Sequence, residues 1–225
     1  MQSIAIALDG PSGAGKSTVG RAVAAKLSYI YVDTGAIYRS IGLYIRRRGI
    51  AGNDIAAIIA ALPDIHITLS CQKGAQYVIL NGETIADQIR TQEIAQYASD
   101  VSAIPEVRQF LLDLQRNIAN TENVLMDGRD IGTVVLPDAQ IKIFLTASVE
   151  KRAERRYKEL LARGQSAQLE QIQQEIAMRD QQDMNRTVAP LRQADDAVLL
   201  DTSALTLEES IAAVLRIVSE KLQAL

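Results

Sequence analysis

The string GPSGAGKS (residues 10–17) has the residue types and spacing that bind the phosphates of a nucleotide. It fits the pattern G-x-x-x-x-G-K-[ST], and it follows an apolar run and precedes a helical pattern, as a phosphate-binding loop requires. Gly13 and Gly15 leave room for backbone N–H groups to turn inward around phosphate oxygens. A helix starting at Lys16 would present its free N–H groups and positive dipole end to the same anion. The loop therefore predicts a nucleoside triphosphate site.

Two side chains of this loop have chemical roles of their own. Lys16 is expected to neutralise charge on the β- and γ-phosphates, and the Ser17 hydroxyl is expected to bind Mg²⁺. Asp127 ends another apolar run, where it either contacts the same Mg²⁺ through a water molecule or caps the turn that follows. The expected nucleotide-binding residues are Gly10, Pro11, Ser12, Gly13, Ala14, Gly15, Lys16, Ser17 and Thr18.

Arginines elsewhere in the chain could form a second anion site. A small-molecule kinase needs such a site facing the first, because phosphoryl transfer depends mostly on positioning and charge neutralisation. Some candidates lie just after apolar runs. Arg179, Asp183 and Arg186 share one helical face at i, i+4 and i+7. The candidates are Arg39, Arg129, Asp130, Arg179, Asp183 and Arg186.

A further set of arginines, Arg152, Arg155 and Arg156, has the helical spacing i, i+3 and i+4. Together with the face that carries Arg179, this set could close over a triphosphate as a lid and exclude water. The alternative is that these arginines pair with neighbouring glutamates on a solvated helix. The glutamates in question are Glu150, Glu154 and Glu159.

Other classes of phosphate-binding protein fit the sequence less well. Gly13 and Gly15 are followed by Lys16 and Ser17 rather than by the third glycine of a dinucleotide-binding fingerprint, and the strings of a GTPase switch do not occur. A slow nucleotide-dependent binding module would release ADP without regard to any acceptor. A structural protein with an inactive phosphate loop is disfavoured by the intact Lys16 and Ser17.

Short apolar runs separated by helical patterns predict a parallel sheet with crossover helices. The runs are residues 4–8, 29–32, 124–126, 141–145 and 198–200. The helical patterns cover residues 16–27, 36–48, 105–119, 149–163, 168–183 and 206–223. Most of the runs end at Asp or Thr, and ligands of open α/β sheets bind at the carboxyl ends of the strands.

Two segments depart from this alternation. Residues 65–69 alternate in polarity, and residues 77–85 place Asn81 and Gly82 between apolar runs, which predicts a hairpin in a small antiparallel insertion. Residues 149–186 are helical, polar and rich in arginine, so they are expected to project from the core.

Composition narrows the possible partners and the compartment. The 225 residues are 48% hydrophobic and 23% charged, which is typical of a globular protein, and the net charge of −3 argues against a nucleic-acid partner. One cysteine, Cys71, and one histidine exclude an internal disulfide and a Cys/His zinc site. The sequence shows neither a basic leader nor an apolar run of roughly 18 residues, so we expect a cytoplasmic protein that does not associate with membranes. A monomer is the default expectation.

The chain resembles the bacterial cytidylate kinases, a family of P-loop nucleoside monophosphate kinases. The matching strings span most of the chain in family order, and DGRDIGTVV and RDxxDxxR are far more specific than the phosphate loop. The strings are DGPSGAGKST (9–18), DTGAIYR (33–39), IRTQE (89–93), DGRDIGTVVLPDA (127–139), RDQQDMNR (179–186) and APL (189–191).

The resemblance implies an α/β fold of three layers with a five-stranded parallel sheet, a small antiparallel β insertion that binds the monophosphate, and a helical lid. It implies one kinase domain over residues 1–225. The core would comprise about 1–32, 99–150 and 187–225, the insertion about 33–98, and the lid about 151–186.

The implied reaction is Mg²⁺-dependent transfer of the γ-phosphoryl of ATP to CMP or dCMP. Carried over by motif, Arg39, Arg129 and Arg186 hold the acceptor phosphate and act in catalysis with Lys16. The cytosine edge is read by Thr34, Arg108 and Asp130. The sugar and nearby phosphate are met by Ser99, Arg179 and Asp183. The chain departs from the family pattern at Thr34, where some members have Ser, and in residues 157–175, which match only loosely. The alternative acceptors UMP, AMP and shikimate stay open.

Overall fold

The computed structural model describes residues 3–72 and 75–224, in which helices and strands alternate over most of the chain. In chain order the elements are β1 (Ala5–Asp9), α1 (Lys16–Leu27), β2 (Ile30–Asp33), α2 (Thr34–Arg47), α3 (Ile55–Ala61), β3 (Ile67–Gln72), β4 (Ala75–Leu80), β5 (Glu83–Thr84), α4 (Gln92–Ser102), α5 (Pro105–Thr121), β6 (Val124–Gly128), β7 (Ile141–Thr146), α6 (Val149–Ala162), α7 (Leu169–Asn185), β8 (Val198–Asp201) and α8 (Leu207–Gln223). Within these described ranges, no helix is both long enough and apolar enough to cross a membrane.

A parallel sheet of five strands forms the centre of the molecule, in the order β2-β6-β1-β7-β8. Strand β1 is fully buried between β6 and β7, and its register pairs Ala5 with Val124 and Ile6 with Ile141. The five apolar runs and the parallel sheet predicted from the sequence are thereby confirmed. Because β1 and β6 end side by side, Asp9 lies next to Gly128 at the edge where the loops begin.

The two faces of the sheet pack into separate apolar clusters, which gives the three layers. Alternate residues of β1 face opposite sides: Ala5 and Ala7 pack toward α2, α4 and α5, while Ile6 and Leu8 pack toward α1 and α8. The core is made almost wholly of Ala, Ile, Leu and Val side chains, as expected for a chain with only 4% aromatic residues.

The antiparallel insertion is a separate sheet in the order β3-β4-β5, and its predicted turn is confirmed. Asn81 and Gly82 both have positive φ (48° and 84°), as in the two-residue hairpin turns that match strand twist. The Asn81 side chain also accepts a hydrogen bond from the His66 backbone N–H (2.7 Å). Cys71 is in β3, and its side chain lies outside the described part of the structure.

Two helices, α3 and α4, were not among the predicted helical patterns. The Asp54 side chain caps α3 and the Thr91 side chain caps α4, so short polar signals start both helices. In α4 the buried residues Ile94, Ala98 and Val101 follow the spacing i, i+4, i+7 and face α2. Helix α4 continues through the expected boundary between residues 98 and 99.

Helix α2 begins at Thr34 rather than at the predicted residue 36. The Asp33 carboxylate accepts a hydrogen bond from the Ala36 N–H (2.9 Å), which caps the helix directly at the end of β2. This junction places the side chains of the DTGAIYR string at the carboxyl edge of the sheet.

Helices α6 and α7 pack against one another away from the sheet core. Their contact is a small apolar cluster centred on Ala153, Ile172 and Ile176. The predicted helical character of residues 149–186 is confirmed, with the break at residues 163–168 between the two helices.

Candidate active site

The phosphate loop has a backbone shape that only glycine allows at its entry. A Cβ on Gly10 would lie 1.9 Å from the backbone oxygen of Leu145, so no side chain fits there. Gly15 has φ of 97° and directly precedes α1, where the conformation turns the chain into the helix. The Lys16 Nζ donates to the Pro11 oxygen at 2.8 Å and spans the loop. The loop is therefore formed by its own local contacts.

Lys16 is buried, and the charges around it affect its pKa and its binding of an anion. Burial lowers the pKa of Lys16, and the nearby positive charge of Arg129 lowers it further, while Asp127 and Asp9 oppose the shift. A phosphate brought beside this ammonium group would favour its charged form. Arg129 thus lies close enough to Lys16 for the two cations to act on one anion.

Ser17 and Asp127 are brought together, as expected for a shared metal site. The Ser17 hydroxyl donates to Asp127 Oδ2 at 2.8 Å, and the Tyr31 hydroxyl donates to the same oxygen at 2.9 Å. Burial raises the pKa of Asp127, and Asp33 adds to that shift. A hydroxyl and a carboxylate next to a phosphate loop are the hard oxygen donors that Mg²⁺ prefers, so these residues fit the ion.

Asp9 is a structural contributor that the sequence did not single out. Its carboxylate accepts hydrogen bonds from the backbone N–H groups of Ile131 (2.8 Å) and Gly132 (2.7 Å). These residues begin a single π-helical turn, Ile131–Val135. Burial raises the pKa of Asp9 to about 6, although both backbone hydrogen bonds lower it. Asp9 therefore joins the end of β1 to the segment that carries Arg129 and Asp130.

Asp130 lies between two arginines from distant parts of the chain. One carboxylate oxygen accepts from Arg108 Nη2, and the other accepts from Arg186 Nη2 at 3.3 Å. All three side chains are at most 8% exposed. Arg186 also donates from Nε to the Ala189 oxygen at 2.6 Å, which holds the chain just after α7. The structure thus brings together α5, the end of β6 and the end of α7.

Beside this group lie Arg39, Arg129 and Arg179, which we call the arginine cluster. Arg129 Nε donates to Asp183 Oδ2 at 2.9 Å, and Arg39 Nη2 donates to Asp33 Oδ2 at 3.2 Å. Burial lowers the pKa of Arg179, and the positive charges of Arg129 and Arg39 contribute to the same shift.

Within the described residues, the Nε atoms of Arg39 and Arg179 are buried and have no hydrogen-bond acceptor. Buried donors are normally paired, so these two N–H groups indicate a missing acceptor. A ligand oxygen placed among the arginine cluster would supply it. The cluster is therefore a candidate anion site, and its member Arg129 lies near Lys16 of the phosphate loop.

Not every predicted residue shows a contact within this group. The Thr34 hydroxyl is buried and donates to the Asp127 backbone oxygen at 2.7 Å. Ser99 lies half-buried in α4, and the described hydrogen bonds connect its backbone oxygen to Ser102 but do not join its hydroxyl to the arginine cluster. Thr18 is exposed in the first turn of α1.

The arginines of α6 divide between the two roles considered for them. Arg152 Nη1 donates to the Ser12 oxygen (3.0 Å), and Arg155 Nη1 donates to the Ala14 oxygen (3.3 Å), so both face the phosphate loop. Arg156 instead pairs with Glu159 at 2.8 Å on the solvated side. Arg163, which follows the helix, contacts the same glutamate.

Comparison with known proteins decides the family. The family model for cytidylate kinase matches residues 6–220. A cytidylate kinase from Caldicellulosiruptor saccharolyticus is 48% identical over 217 residues, which cover 96% of each chain. One from Geobacillus sp. is 46% identical over 220 residues and 98% of each chain. This chain belongs to the cytidylate kinase family.

Membership of the cytidylate kinase family makes the chain an enzyme, a nucleoside monophosphate kinase, and implies phosphoryl transfer from ATP to CMP. The fold has a structural relative at much lower sequence similarity. An uncharacterized protein from Eubacterium ventriosum is 10% identical, with a TM-score of 0.53 over 97% of this chain and 99% of that one. That likeness bears on the fold alone.

Tyr38 is a member of the cytidylate kinase site that the sequence reasoning missed. Its ring centroid lies 5.6 Å from the guanidinium carbon of Arg108, a cation–π contact that holds the arginine beside Asp130. Burial raises the pKa of Tyr38 to about 12. The signal was present in the sequence, because Tyr38 directly precedes Arg39 in the DTGAIYR string.

Proposed function

We propose that this enzyme transfers the γ-phosphoryl of Mg·ATP to CMP or dCMP and releases ADP with CDP or dCDP. The observation that carries the proposal is the pair of buried Nε atoms of Arg39 and Arg179 without a hydrogen-bond acceptor, in a cluster whose third member, Arg129, lies near Lys16 of the phosphate loop. An acceptor phosphate placed there would lie opposite the γ-phosphate held by the loop. In-line transfer needs this arrangement of two phosphates.

On the donor side, the backbone of residues 10–18 binds the phosphates of ATP and Lys16 neutralises their charge. The Ser17 hydroxyl would hold Mg²⁺, and Asp127 would be its outer contact. The bound ion supplies neutralisation of charge on the β- and γ-phosphate oxygens. The hydrogen bond between Ser17 and Asp127 supports this assignment, because it keeps both oxygen donors at one place before the nucleotide binds.

On the acceptor side, Arg39, Arg129 and Arg186 hold the phosphate of the monophosphate. An oxygen of that phosphate attacks the γ-phosphorus, the bond to the β-phosphate oxygen breaks, and ADP leaves. The attacking oxygen is already ionised, so the chain has to supply no general base. Its arginines orient the two phosphates and offset their mutual repulsion.

The base pocket combines one carboxylate with one guanidinium. Asp130 accepts the N4 amino group of cytosine, and Arg108 donates to N3 and O2, with the Thr34 hydroxyl beside them. An ionised carboxylate has about four acceptor positions, so Asp130 can bind the base while it keeps Arg108 and Arg186. Uracil has no N4 amino group, so it would make no such hydrogen bond to Asp130. This loss disfavours uracil more strongly than shape does.

The sugar and the nearby phosphate of the acceptor are met by Ser99, Arg179 and Asp183. Asp183 already accepts from Arg129, so one carboxylate would join the sugar hydroxyls to an arginine of the phosphate site. The dCMP reaction follows from the same contacts with one fewer hydroxyl.

Three segments of one kinase domain share this work. The core comprises about residues 1–32, 99–150 and 187–225, the monophosphate-binding insertion about 33–98, and the lid about 151–186. Closure of the lid would exclude water and prevent hydrolysis of ATP. We further propose that the enzyme acts as a cytoplasmic monomer, with ATP, CMP and dCMP as its partners and without nucleic acid or membrane.

ADP release from Mg·ATP tests the proposal, with CMP, dCMP, UMP, AMP, GMP, dTMP and shikimate supplied separately as acceptors. We expect strong stimulation by CMP and dCMP. Stimulation by a different acceptor would overturn the base pocket. Slow release that ignores every acceptor would overturn the kinase assignment and favour a binding module.

A further inference from the structure

Arg152 connects three parts of the chain through one buried guanidinium group. Its Nε donates to the Ala147 oxygen (2.8 Å), its Nη1 donates to the Ser12 oxygen (3.0 Å), and its Nη2 forms an ion pair with Asp180 Oδ2 (2.6 Å). The side chain is 4% exposed. Each nitrogen therefore contacts a different segment: the start of α6, the phosphate loop and helix α7.

The phosphate loop packs directly on this arginine. The hydrogen bond from Arg152 Nη1 to the Ser12 oxygen (3.0 Å) is a direct contact between the loop and α6. A change in loop conformation on binding phosphates would therefore reach the guanidinium group without an intervening layer. Densely packed groups transmit such shifts because there is no empty space to absorb them.

Asp180 lies on α7 among the residues assigned to the acceptor. Its neighbour Arg179 belongs to the arginine cluster, and Asp183, one turn later, accepts from Arg129 at 2.9 Å. The other carboxylate oxygen of Asp180, Oδ1, is buried without a hydrogen-bond partner among the described residues. The ion pair with Arg152 thus connects this turn of α7 to the arginine that binds the phosphate loop.

We infer that the Arg152–Asp180 ion pair couples the ATP site to the monophosphate site. Arg152 and Asp180 are positioning residues. Arg152 moves with the phosphate loop, and Asp180 determines the position in which α7 holds Arg179 and Asp183 near the acceptor. Binding of one nucleotide then favours the α7 position that the other one needs. This inference rests on the proposed function, and coupling of this kind must be equal in both directions.

The test measures the dissociation constant of CMP with and without Mg²⁺ and a non-hydrolysable ATP analogue. In the wild-type enzyme we expect the analogue to tighten CMP binding about fivefold or more, in the usual range of coupling between two sites. In Asp180→Asn this ratio should fall to about 1, because the amide removes the charge that holds Arg152. The kcat should fall with it; because the coupling is reciprocal, KM for ATP at saturating CMP should rise by about the same factor, while the dissociation constant of the ATP analogue without CMP changes little.

A matched control is available on α6, the helix that carries Arg152. Lys151 and Glu154 form an exposed ion pair at 2.9 Å, so Glu154→Gln removes a carboxylate charge of similar kind without touching the phosphate loop or α7. This variant should keep the wild-type coupling ratio and kcat. Circular dichroism melting of all three proteins shows whether each one is folded at the assay temperature.

A wild-type ratio of 1, or an Asp180→Asn variant that is folded and keeps both the wild-type ratio and kcat, would overturn the coupling role. If Asp180→Asn does not fold, Asp180→Glu replaces it, since it keeps the charge but displaces the carboxylate by one methylene. It should lower the ratio at least about twofold, and an unchanged ratio and kcat would equally overturn the role. Failure of the proposed function looks different, because ADP release by the wild-type enzyme would then not depend on CMP.

Discussion

The two halves of the active site are built in different ways. The phosphate loop is formed by contacts between residues close in sequence, such as the bond from Lys16 to the Pro11 oxygen. The acceptor half is formed by side-chain ion pairs between distant segments. Asp130 pairs there with Arg108 and Arg186, which are 22 and 56 residues away in sequence.

The two halves of the site therefore depend on different features of the chain. The phosphate loop depends on its glycines, since a Cβ on Gly10 would clash with the backbone oxygen of Leu145 in the neighbouring strand β7. The acceptor half depends on buried charges that balance each other, so removing one leaves its partners unpaired in an apolar setting. Substitutions in the two halves should therefore differ in what they damage.

The largest effect is expected from Lys16→Ala in the donor half. The variant should lose turnover by about 10²-fold to 10⁴-fold, because charge on the transferred phosphoryl is no longer neutralised, while the backbone-formed loop keeps its shape. Steady-state ADP release and thermal melting provide the two readouts. Lys26→Ala, at the exposed end of the same helix, serves as the control. Turnover near that of the wild type would refute the phosphate assignment.

Asp130→Ala should damage the acceptor half selectively. The kcat/KM for CMP should fall about 10²-fold or more, because the base loses its carboxylate partner, while KM for ATP stays within about twofold. The variant should also melt at a lower temperature, since Arg108 and Arg186 lose their shared counter-ion. Asp138→Ala, at an exposed position nearby, is the control. Equal losses for CMP and ATP would mean that Asp130 does not belong to one half only.

Asp9 joins the two halves, and its titration should appear in the stability of the protein. The pKa of about 6 in the folded protein is above the value of about 3.9 for an unfolded aspartate, so the folded state binds more protons between these values. The free energy of unfolding should therefore fall as pH rises from about 4 to about 6, and then stop falling.

Asp9→Asn removes this titration. The unfolding free energy of the wild type minus that of the variant should fall by about 2–3 kcal/mol as pH rises across the same window. Urea denaturation at several pH values between 4 and 7.5 measures it. Parallel pH profiles for the two proteins would show that Asp9 does not bind its proton in this range.

The smallest effect is expected from Glu159→Gln on the outer side of α6. Glu159 pairs with Arg156 and Arg163, and all three side chains are more than 40% exposed. Exposed ion pairs contribute little, so the free energy of unfolding should change by less than about 0.5 kcal/mol and kcat should not change. A clear loss of activity would show that these arginines act in the reaction, and it would place part of the donor half on this side of the helix.

Much of the fold was predictable from local patterns. Each of the five strands of the parallel sheet is a short apolar run bounded by polar residues, and the Asn81–Gly82 turn has the residue types that positive φ requires. Helix α4 was not predicted, although its buried residues, Ile94, Ala98 and Val101, have the helical spacing i, i+4 and i+7 and Thr91 supplies a cap, so the signal was present in the sequence.

The phosphate loop could be predicted from the sequence alone, because the spacing of its glycines, Lys16 and Ser17 is a local pattern, whereas the bond from Ser17 to Asp127 was decided by the tertiary structure. The partners of the charged side chains were decided by the tertiary structure. Arg152 and Arg156 are four residues apart on one helix, yet Arg152 is 4% exposed and bound to Ser12 and Asp180, while Arg156 is 41% exposed. Helical spacing places both on similar faces, and only the packing of α6 against the loop and α7 determines which of them is withdrawn from water.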